Sequence, residues 1–424
     1  MRWLLARILY RILLPVVFLT AFPGWLLKML RRGGMQSPLG ERLAFYTRPP
    51  EFDPCGAVHI HAISVGETLL ALRLIRAWRK RQPELSFVLA TGTATGHAVA
   101  RAEASAQLRV TYAPLDFPSM VRRYLKRFEP RQIILVEGEA WPNLLRECSR
   151  CMIPVSLVNA RMSPRSAKRY QRFAAWLRPM FGLLESVAIQ DPCDAQIWNA
   201  LGVPPERIHH TGSLKFDPSG SRKPAQREEF QQILDRFGNH GPVVLAASTH
   251  VGEEVWIAQA IRDAAPDALV VLVPRHAERR DEVAAALRSA GFGVVLRSHP
   301  SAPPANAVLV VDSTGELRDW TAHADVVVIG KSFLARGGQN PAEAIMASKA
   351  LVFGPRMENF EPLASRLVDQ GGALRTDASR ESLAAAIHQA IQPQRASMLR
   401  ENAAAVLAIH NGACERILDM LECS

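Results

Sequence analysis

The feature of the sequence that most constrains its fold is a regular alternation of short β-branched segments with helical patterns, which occurs twice. Strands that alternate with helices at this spacing are typical of parallel sheets covered by helices on both faces. The sequence therefore predicts two successive α/β halves. The predicted strands are 58–63, 86–91, 109–112, 132–137, 155–159 and 186–190 in the first half, and 243–247, 269–273, 293–296, 307–311, 326–329 and 350–353 in the second.

A hydrophilic segment separates the two halves. Residues 217–227 contain two prolines and Gly220, a composition typical of a linker. We therefore expect a first domain over 33–216, a linker over 217–228 and a second domain over 229–390. Two such domains are expected to face a cleft with their strand ends, and clefts between domains are a preferred place for ligands.

The N-terminus is the most apolar part of the chain. Sixteen uncharged residues, 12–27, lie between Arg11 and Lys28. A helix that crosses a bilayer perpendicularly needs about 20 apolar residues, so this segment is short for a span. We predict that residues 1–32 form a membrane anchor, either a short span or a helix that lies in the membrane interface.

Composition and charge narrow the class of protein. Of the 424 residues, 48% are hydrophobic and 21% charged, the proportions of a globular protein. The formal charge of +11 favours a polyanionic surface such as anionic membrane lipids, a polyanionic substrate, or both. The basic residues are dispersed and lack an aromatic motif, so nucleic acid is not expected as a partner. Six cysteines without a disulfide-framework spacing favour a reducing compartment.

A strand, a tight turn and a helix start follow one another at residues 58–79. The turn holds Ser64, Gly66 and Glu67, at the carboxyl end of a predicted strand, where open α/β sheets place their ligands. Glu67 is the only carboxylate of the turn. It is either a first-turn residue that the helix dipole favours or a catalytic group, and the local sequence leaves both interpretations open.

Loops of the second half carry groups that bind anions. Ser248 and Thr249 precede an acidic helix start, and Arg275 and His276 follow a strand. Each has an ordinary structural explanation, for example as a helix cap. Hydroxyls, a guanidinium and helix-start amides that converge on one place nevertheless favour a phosphate site.

Two glycines open a later helix of the same half. Glu343 lies one turn beyond Gly337 and Gly338, where a carboxylate either binds a ribose diol or is a solvated helix residue. These loops contain no Walker A or GxGxxG motif, and no DxD pair or His/Cys cluster that suggests a metal. We therefore expect cationic side chains and helix dipoles to stabilise the charge of a leaving group.

Nine motifs occur in an order and spacing that resemble one known family. They lie between residues 41 and 360 and read HAISVGE, EGEAWPN, NARMSPRS, GSLKFD, ASTHVGEE, LVPRHAER, DSTGEL, GGQNPAE and GPRMENF. The pattern is similar to that of the Kdo transferases of lipopolysaccharide synthesis. These enzymes move Kdo, 3-deoxy-D-manno-octulosonic acid, from CMP-Kdo to a lipid A precursor.

The resemblance implies an α/β fold of the GT-B glycosyltransferase class. In it, two Rossmann-like domains face an interdomain cleft, the first binding the acceptor and the second the CMP-sugar. It also implies an N-terminal membrane-anchor helix and a C-terminal helix, residues 391–424, that packs back toward the first domain. The implied reaction is inverting and independent of metal and cofactor, at the cytoplasmic face of the cell inner membrane, with CMP-Kdo as donor and a lipid A precursor as acceptor.

The resemblance also implies roles for individual residues. The glutamate of the SVGE turn is the family's general base, which carries over to Glu67. It would deprotonate an acceptor hydroxyl as that hydroxyl attacks the anomeric carbon and CMP departs. The implied donor-binding residues are Ser248, Thr249, Arg275, His276, Gly338, Asn340 and Glu343. The predicted acceptor-binding or cleft residues are Ser64, Gly66, Glu137, Glu139, Asn159, Arg161 and Lys215.

The chain departs from the family pattern on the donor side, at Lys331, Gln339, Arg356 and Met357. The nucleotide or sugar preference could therefore differ from the family norm. Two other functions stay open: another GT-B enzyme that uses a UDP-sugar, as a transferase or an epimerase, and a non-catalytic membrane protein that binds anionic lipids.

Overall fold

The computed structural model describes residues 2–31, 39–46, 56–138, 140–162, 164–219, 224–238 and 241–423. The chain forms two compact units, Met1–Ser219 with Gly412–Ser424 and Gly220–Asn411. Each unit contains one parallel sheet of seven strands. The predicted pair of parallel α/β halves is confirmed.

The first unit is built on a sheet whose strands are buried on both faces. Its strand order is β3-β2-β1-β4-β5-β6-β7. The strands are β1 (Val58–Ala62), β2 (Phe87–Thr91), β3 (Leu108–Tyr112), β4 (Gln132–Val136), β5 (Val155–Ala160), β6 (Ser186–Ile189) and β7 (Ile208–His210). Because helices cover both faces, the strands read as apolar runs rather than as alternating patterns. The short β7 is absent from the predicted strands.

Several helices of the first unit begin at a capping side chain or at a proline. Ser64 and Thr93 accept hydrogen bonds from amides of the helices that they start, as N-caps do. The helices are α1 (Arg2–Arg31), α2 (Leu39–Arg42), α3 (Val65–Arg81), α4 (Ala94–Arg101), α5 (Pro118–Phe128), α6 (Pro142–Arg150), α7 (Pro164–Arg172), α8 (Ala174–Phe181) and α9 (Ala195–Ala200). Among the described residues, no helix combines the length and the apolar character that crossing a bilayer requires.

The second unit repeats the architecture with the strand order β10-β11-β9-β8-β12-β13-β14. Its strands are β8 (Val243–Thr249), β9 (Leu269–Pro274), β10 (Gly293–Leu296), β11 (Ala307–Val310), β12 (Val326–Ile329), β13 (Ala350–Phe353) and β14 (Leu374–Arg375). Its helices are α10 (Glu228–Asp235), α11 (Glu253–Ala264), α12 (Arg280–Ser289), α13 (Leu317–His323), α14 (Ala342–Met346), α15 (Leu363–Asp369), α16 (Arg380–Ala390) and α17 (Pro393–Ala408). The two-residue β14 is a further strand that the sequence pattern missed.

The end of the chain differs from its predicted form. The family resemblance implies one C-terminal helix over residues 391–424, whereas the structure divides this range into two helices. Helix α17 ends at Ala408, and Gly412 adopts a φ of 72°, a left-handed conformation that glycine tolerates and that a helix cannot continue. A separate last helix, α18 (Ala413–Cys423), follows and belongs to the first unit.

A buried carboxylate holds the start of α18. Asp217, only 1% exposed, accepts hydrogen bonds from the amides of Gly412 at 3.1 Å and Cys414 at 2.9 Å. The Arg73 guanidinium lies 3.5 Å from the same carboxylate. Ile417 and Leu418 can then pack into the core beneath β1 and α3. A single side chain therefore joins three distant parts of the first unit.

Replacing Asp217 by alanine is expected to lower the free energy of unfolding of the first unit by about 2–4 kcal/mol. The change removes the acceptor of the Gly412 and Cys414 amides and the carboxylate that faces the Arg73 guanidinium. Urea titration followed by fluorescence measures the change. Glu103→Ala is the matched control, because Glu103 pairs with Arg76 at the surface of the same unit, and such pairs contribute less than about 1 kcal/mol. If the two variants were equally stable, the apolar face of α18 alone would hold the helix.

Candidate functional site

The order of the first sheet reverses between β1 and β4. In open α/β sheets, the loops on the two sides of such a reversal leave a crevice in which ligands bind. Glu67 follows β1 and Glu137 follows β4. Each side of the reversal therefore carries at least one carboxylate, and we take this edge as the candidate site of the first unit.

Glu67 is held in one orientation by the chain around it. Its side chain is 8% exposed and lies in the first turn of α3. One carboxylate oxygen accepts from the Ile63 amide at 2.7 Å, and the other accepts from the Ser64 hydroxyl at 2.8 Å. The Ser64 hydroxyl in turn accepts from the Glu67 amide at 3.2 Å. The arrangement is a variant of the capping box, in which the carboxylate binds the Ile63 amide and the Ser64 hydroxyl instead of the Ser64 amide. A structural role for Glu67 is therefore present whether or not it is also catalytic.

Glu137 lies in a strained and charged position. Its φ is 64°, a conformation that costs roughly 1–3 kcal/mol for a residue other than glycine. Burial raises the pKa of Glu137, and the negative charge of Glu67 raises it further. The nearby cations Arg161 and Lys215 act in the opposite direction. The carboxylates of Glu67 and Glu137 thus share this edge of the sheet with the cations of Arg161 and Lys215.

Asn159 connects the loop after β7 to this edge. Its side-chain oxygen accepts from the Leu214 amide at 2.9 Å, and its φ is 54°. The hydrogen bond holds the segment in which Lys215 follows Leu214. Burial lowers the pKa of Lys215, as does the charge of Arg161, while Glu137 raises it. Asn159 therefore positions a cation beside the carboxylates.

Gly66 and Glu139 are two further residues of this half that were predicted to belong to the site. Gly66 is exposed, and a Cβ added there would meet only the Ser64 hydroxyl, at 3.9 Å. The chain itself thus gives no steric reason for this glycine. Glu139 lies outside the described residues, and its predicted role stays a prediction.

The second sheet reverses between β8 and β12. Ser248, in a bulge near the end of β8, has a φ of 56°, and Lys331, the second residue after β12, also has a φ of 56°. Strained residues cluster at ligand sites more often than elsewhere. The loops on both sides of this reversal are therefore the candidate donor site.

Glu253 organises these two loops, a role that the sequence reasoning missed. Its side chain is fully buried and accepts from the His250 amide at 2.9 Å and the Lys331 amide at 2.6 Å. The amides of Phe333 and Leu334 lie 3.4 and 3.5 Å from its other oxygen. The only signal in the sequence was a pair of glutamates after Gly252, which is also typical of an exposed helix start.

Thr249 is buried and donates its hydroxyl to Glu254 at 3.1 Å. Glu254 also binds Arg279 at 2.8 Å, so this hydroxyl belongs to an internal network. Arg275 and His276, by contrast, are exposed after β9, where a ligand can reach them. Of these predicted donor residues, Thr249 is thus buried and structural, whereas Arg275 and His276 are accessible to a ligand.

The loop that contains Gly337 and Gly338 packs closely against neighbouring residues. Gly338 has a φ of 66°, and a Cβ there would overlap the Met357 sulfur. The side-chain oxygen of Asn340 accepts a hydrogen bond from the amide of Ala342, the first residue of α14, at 3.1 Å. Burial raises the pKa of Glu343, against the charges of Arg318 and Arg275.

The departures from the family pattern surround this loop. Lys331 donates to Glu253, and Met357 is 1% exposed. Gln339 is half-buried, and Arg356 is exposed while its amide donates to the Ser332 carbonyl at 2.9 Å. Their effect on donor preference stays a prediction.

Within the described parts of the chain, no group of three or more His, Cys, Asp or Glu side chains is arranged to hold a metal ion. Independence from metal and cofactor stays a prediction.

The comparisons with known proteins agree with the motif pattern. Residues 37–218 match the family model of 3-deoxy-D-manno-octulosonic-acid transferase (kdotransferase). The 3-deoxy-D-manno-octulosonic acid transferase of Bordetella pertussis is 35% identical over 432 residues, covering 97% of this chain and 96% of the relative. That of Haemophilus influenzae is 32% identical over 389 residues, covering 91% and 90%. The chain belongs to the Kdo transferase family. The predicted family is confirmed, and with it the class of glycosyltransferase.

Solved structures show the same fold for this Kdo transferase. UDP-GlcNAc 2-epimerase from Neisseria meningitidis has a TM-score of 0.58 at 12% identity, covering 87% of this chain and 100% of that chain. A glycosyltransferase from Rickettsia africae has a TM-score of 0.57 at 9% identity, with the same coverages. Identities this low show the fold alone. The GT-B-like class of two parallel-sheet domains is confirmed, and the N-terminal anchor stays a prediction.

Glu253→Gln is expected to loosen the loop after β12 in this Kdo transferase. A glutamine offers one acceptor oxygen where the carboxylate offers two, so buried amides lose their partner at about 1–3 kcal/mol. Hydrogen exchange of the amides of Lys331, Phe333 and Leu334 should then be roughly 10–100 times faster. Glu278→Gln, at an exposed glutamate, is the control. Unchanged exchange at Lys331 would show that Glu253 does not hold the loop.

Glu137→Gln is expected to stabilise the Kdo transferase at neutral and alkaline pH. The pKa of Glu137 is higher in the folded protein than in the unfolded chain, so folding favours the protonated carboxyl. The stability that this protonated form contributes is lost as the pH rises through the folded-state pKa. The variant should match wild type at about pH 4 and become relatively more stable toward about pH 8. The free energy of unfolding across this range measures the effect.

Glu103→Gln should show the opposite trend, because the hydrogen bond from Arg76 lowers the pKa of Glu103. Its stabilising charge is present above the unfolded pKa and lost as the pH falls. A Glu137→Gln variant that became less stable relative to wild type as the pH rises, as expected for Glu103→Gln, would contradict the raised pKa of Glu137.

Proposed function

We propose that this protein is an inverting, metal-independent transferase that moves Kdo from CMP-Kdo to a lipid A precursor, with Glu67 as the general base. The observation that carries the proposal is the orientation of the Glu67 carboxylate. The Ile63 amide and the Ser64 hydroxyl hold it at the reversal of the first sheet, where ligands of this fold class bind.

The proposed reaction is a single displacement at the anomeric carbon. Glu67 takes the proton of an acceptor hydroxyl, and that oxygen forms a bond to the anomeric carbon of Kdo. The bond from this carbon to the phosphate oxygen of CMP breaks, and CMP leaves with the electron pair. A carboxylate that is already oriented by two donors needs little rearrangement as the reaction proceeds.

Cations of the first unit support an acceptor that carries phosphate groups. Arg161 and Lys215 lie near Glu137, and α7 contributes Lys168, Arg169 and Arg172. Arginine and lysine side chains bind phosphates through charge-assisted hydrogen bonds. Ser64, Gly66 and Asn159 would complete this acceptor site, the serine and asparagine by positioning their neighbours.

Donor binding is assigned to the second unit. Arg275 and His276 would bind the phosphate of CMP-Kdo, and Glu343 would bind the ribose. Ser248, Thr249, Gly338 and Asn340 would shape the loops that receive the nucleotide. This assignment is supported by the strained loops on both sides of the second sheet reversal and by their shared support from Glu253.

A membrane location is also part of the proposal. Helix α1 exposes many large apolar side chains, including Ile12, Val16 and Leu19, at 62%, 52% and 68%. Exposed apolar surface of this extent favours contact with lipid. We therefore assign α1 to the cytoplasmic face of the inner membrane, where anionic lipids would attract the basic chain.

The decisive variant is Glu67→Gln. Glutamine can retain the capping box but cannot act as a base, so transfer should fall by about 10²–10⁴-fold while folding and CMP binding are retained. Mass measurement of the lipid product after incubation with CMP-Kdo gives the turnover and the number of Kdo residues.

Glu84→Gln, at an exposed glutamate between α3 and β2, is the control. Full activity in Glu67→Gln would remove Glu67 from catalysis. No product from CMP-Kdo with wild-type protein, but product from a UDP-sugar, would overturn the donor assignment.

A further inference from the structure

An apolar cavity of about 440 Å³ lies in the first unit beneath α1 and is partly open to the surface along that helix, where Val17 is 58% exposed. Leu14, Val17 and Phe18 of α1 form one side, while Ile63, Trp141 and Leu144 contribute to the other. Ligand pockets typically measure about 300–1,000 Å³ and are lined mainly by apolar side chains. This cavity matches such pockets in both size and wall, which makes it a candidate binding site.

Polar groups on the cavity wall already have partners in the protein. The Asp116 carboxylate accepts from the amides of Asn143 and Leu144 at 3.0 and 2.8 Å and from the Tyr10 hydroxyl at 2.8 Å. His61 lies 3.2 Å from the Tyr124 hydroxyl, and burial lowers its pKa to about 4. The imidazole is therefore neutral at physiological pH. These groups require neither water nor a polar ligand.

Arg42, the cation on this wall, is also engaged. Its guanidinium donates to the Gly92 carbonyl at 2.7 Å and lies 3.9 Å from the centre of the Tyr112 ring. The wall thus selects for hydrocarbon, because apolar cavities stay dry and take up apolar ligands.

We infer that this cavity binds an acyl chain of the lipid acceptor, an inference that rests on the proposed function. The volume suits hydrocarbon of this length: a cavity of roughly 150 Å³ holds benzene, so one about three times larger has room for a dozen carbon atoms or more.

The position of the cavity favours binding of an acyl chain of the acceptor over binding of a bulk membrane lipid. Ile63 lines the cavity and its amide donates to the Glu67 carboxylate, so the chain would end beside the proposed base. On the other side, the cavity is bounded by α1, whose exposed apolar face offers a route from the bilayer.

Filling the cavity from α1 tests the inference by kinetics. In the double variant Leu14→Trp/Val17→Trp, the KM for an acylated acceptor should rise about tenfold or more, the equivalent of losing two buried methylene groups. The kcat/KM for a de-acylated acceptor and the affinity for CMP should be unchanged. Leu13→Trp/Leu19→Trp is the matched control, because these two side chains belong to the same helix and are exposed like Val17, but do not line the cavity.

Trp141 provides a readout that is independent of catalysis. An acceptor whose acyl chains carry bromine should quench a component of the protein fluorescence that is missing in Trp141→Phe. Brominated phospholipid in the same micelles should not quench it, or should be displaced by unbrominated acceptor.

The outcomes separate the two proposals. Quenching of Trp141 without Kdo transfer by wild-type protein would contradict the proposed function and leave the cavity assignment standing. Kdo transfer without Trp141 quenching, or with an unchanged KM in the Leu14→Trp/Val17→Trp variant, would overturn the cavity assignment. Quenching by phospholipid that the acceptor cannot displace would also overturn it.

Discussion

Burial of both sheets on both faces is the constraint on which the rest of this structure depends. Residues of β1 such as Val58 and Ile60 are fully buried, and so are those of β8 such as Val244 and Leu245. A strand that is covered by helices on both sides can present polar chemistry only where it ends. The carboxyl ends of parallel strands share one edge, so the strand-end loops meet there. This explains why both candidate sites are built from loops that are distant in sequence.

Carboxylates that accept backbone amides are the second recurring element. Glu67, Asp116, Asp217 and Glu253 all bind amides of loops or helix starts. A buried carboxylate is costly unless hydrogen bonds compensate for the lost water, and backbone amides at turns need acceptors of their own. Each pairing satisfies both requirements. It also gives the loops a defined shape before any ligand binds, which reduces the entropy cost of binding.

Strain is concentrated at the same edges. Glu137, Asn159, Ser248 and Lys331 all have positive φ angles and lie at or near the carboxyl ends of strands. Such conformations are retained only where surrounding contacts compensate for them, as Asn159 does through Leu214 and Lys331 through Glu253. Internal contacts within each unit therefore hold these loops.

The sequence by itself determined the α/β class, the order of the strands along the chain and the family, because periodicity and motifs are local. A helical pattern of ten or more residues is compatible with few other secondary structures, and so is a run of buried β-branched residues. It did not determine the short strands β7 and β14, since segments of three and two residues carry no periodic signal. It also missed the break before α18 and the role of Glu253, whose partner Lys331 is 78 residues away. Only the tertiary structure decided these features, because their energies come from contacts between distant segments. The same holds for Glu67: its motif identified the residue, and the fold supplied the amide and hydroxyl that orient it.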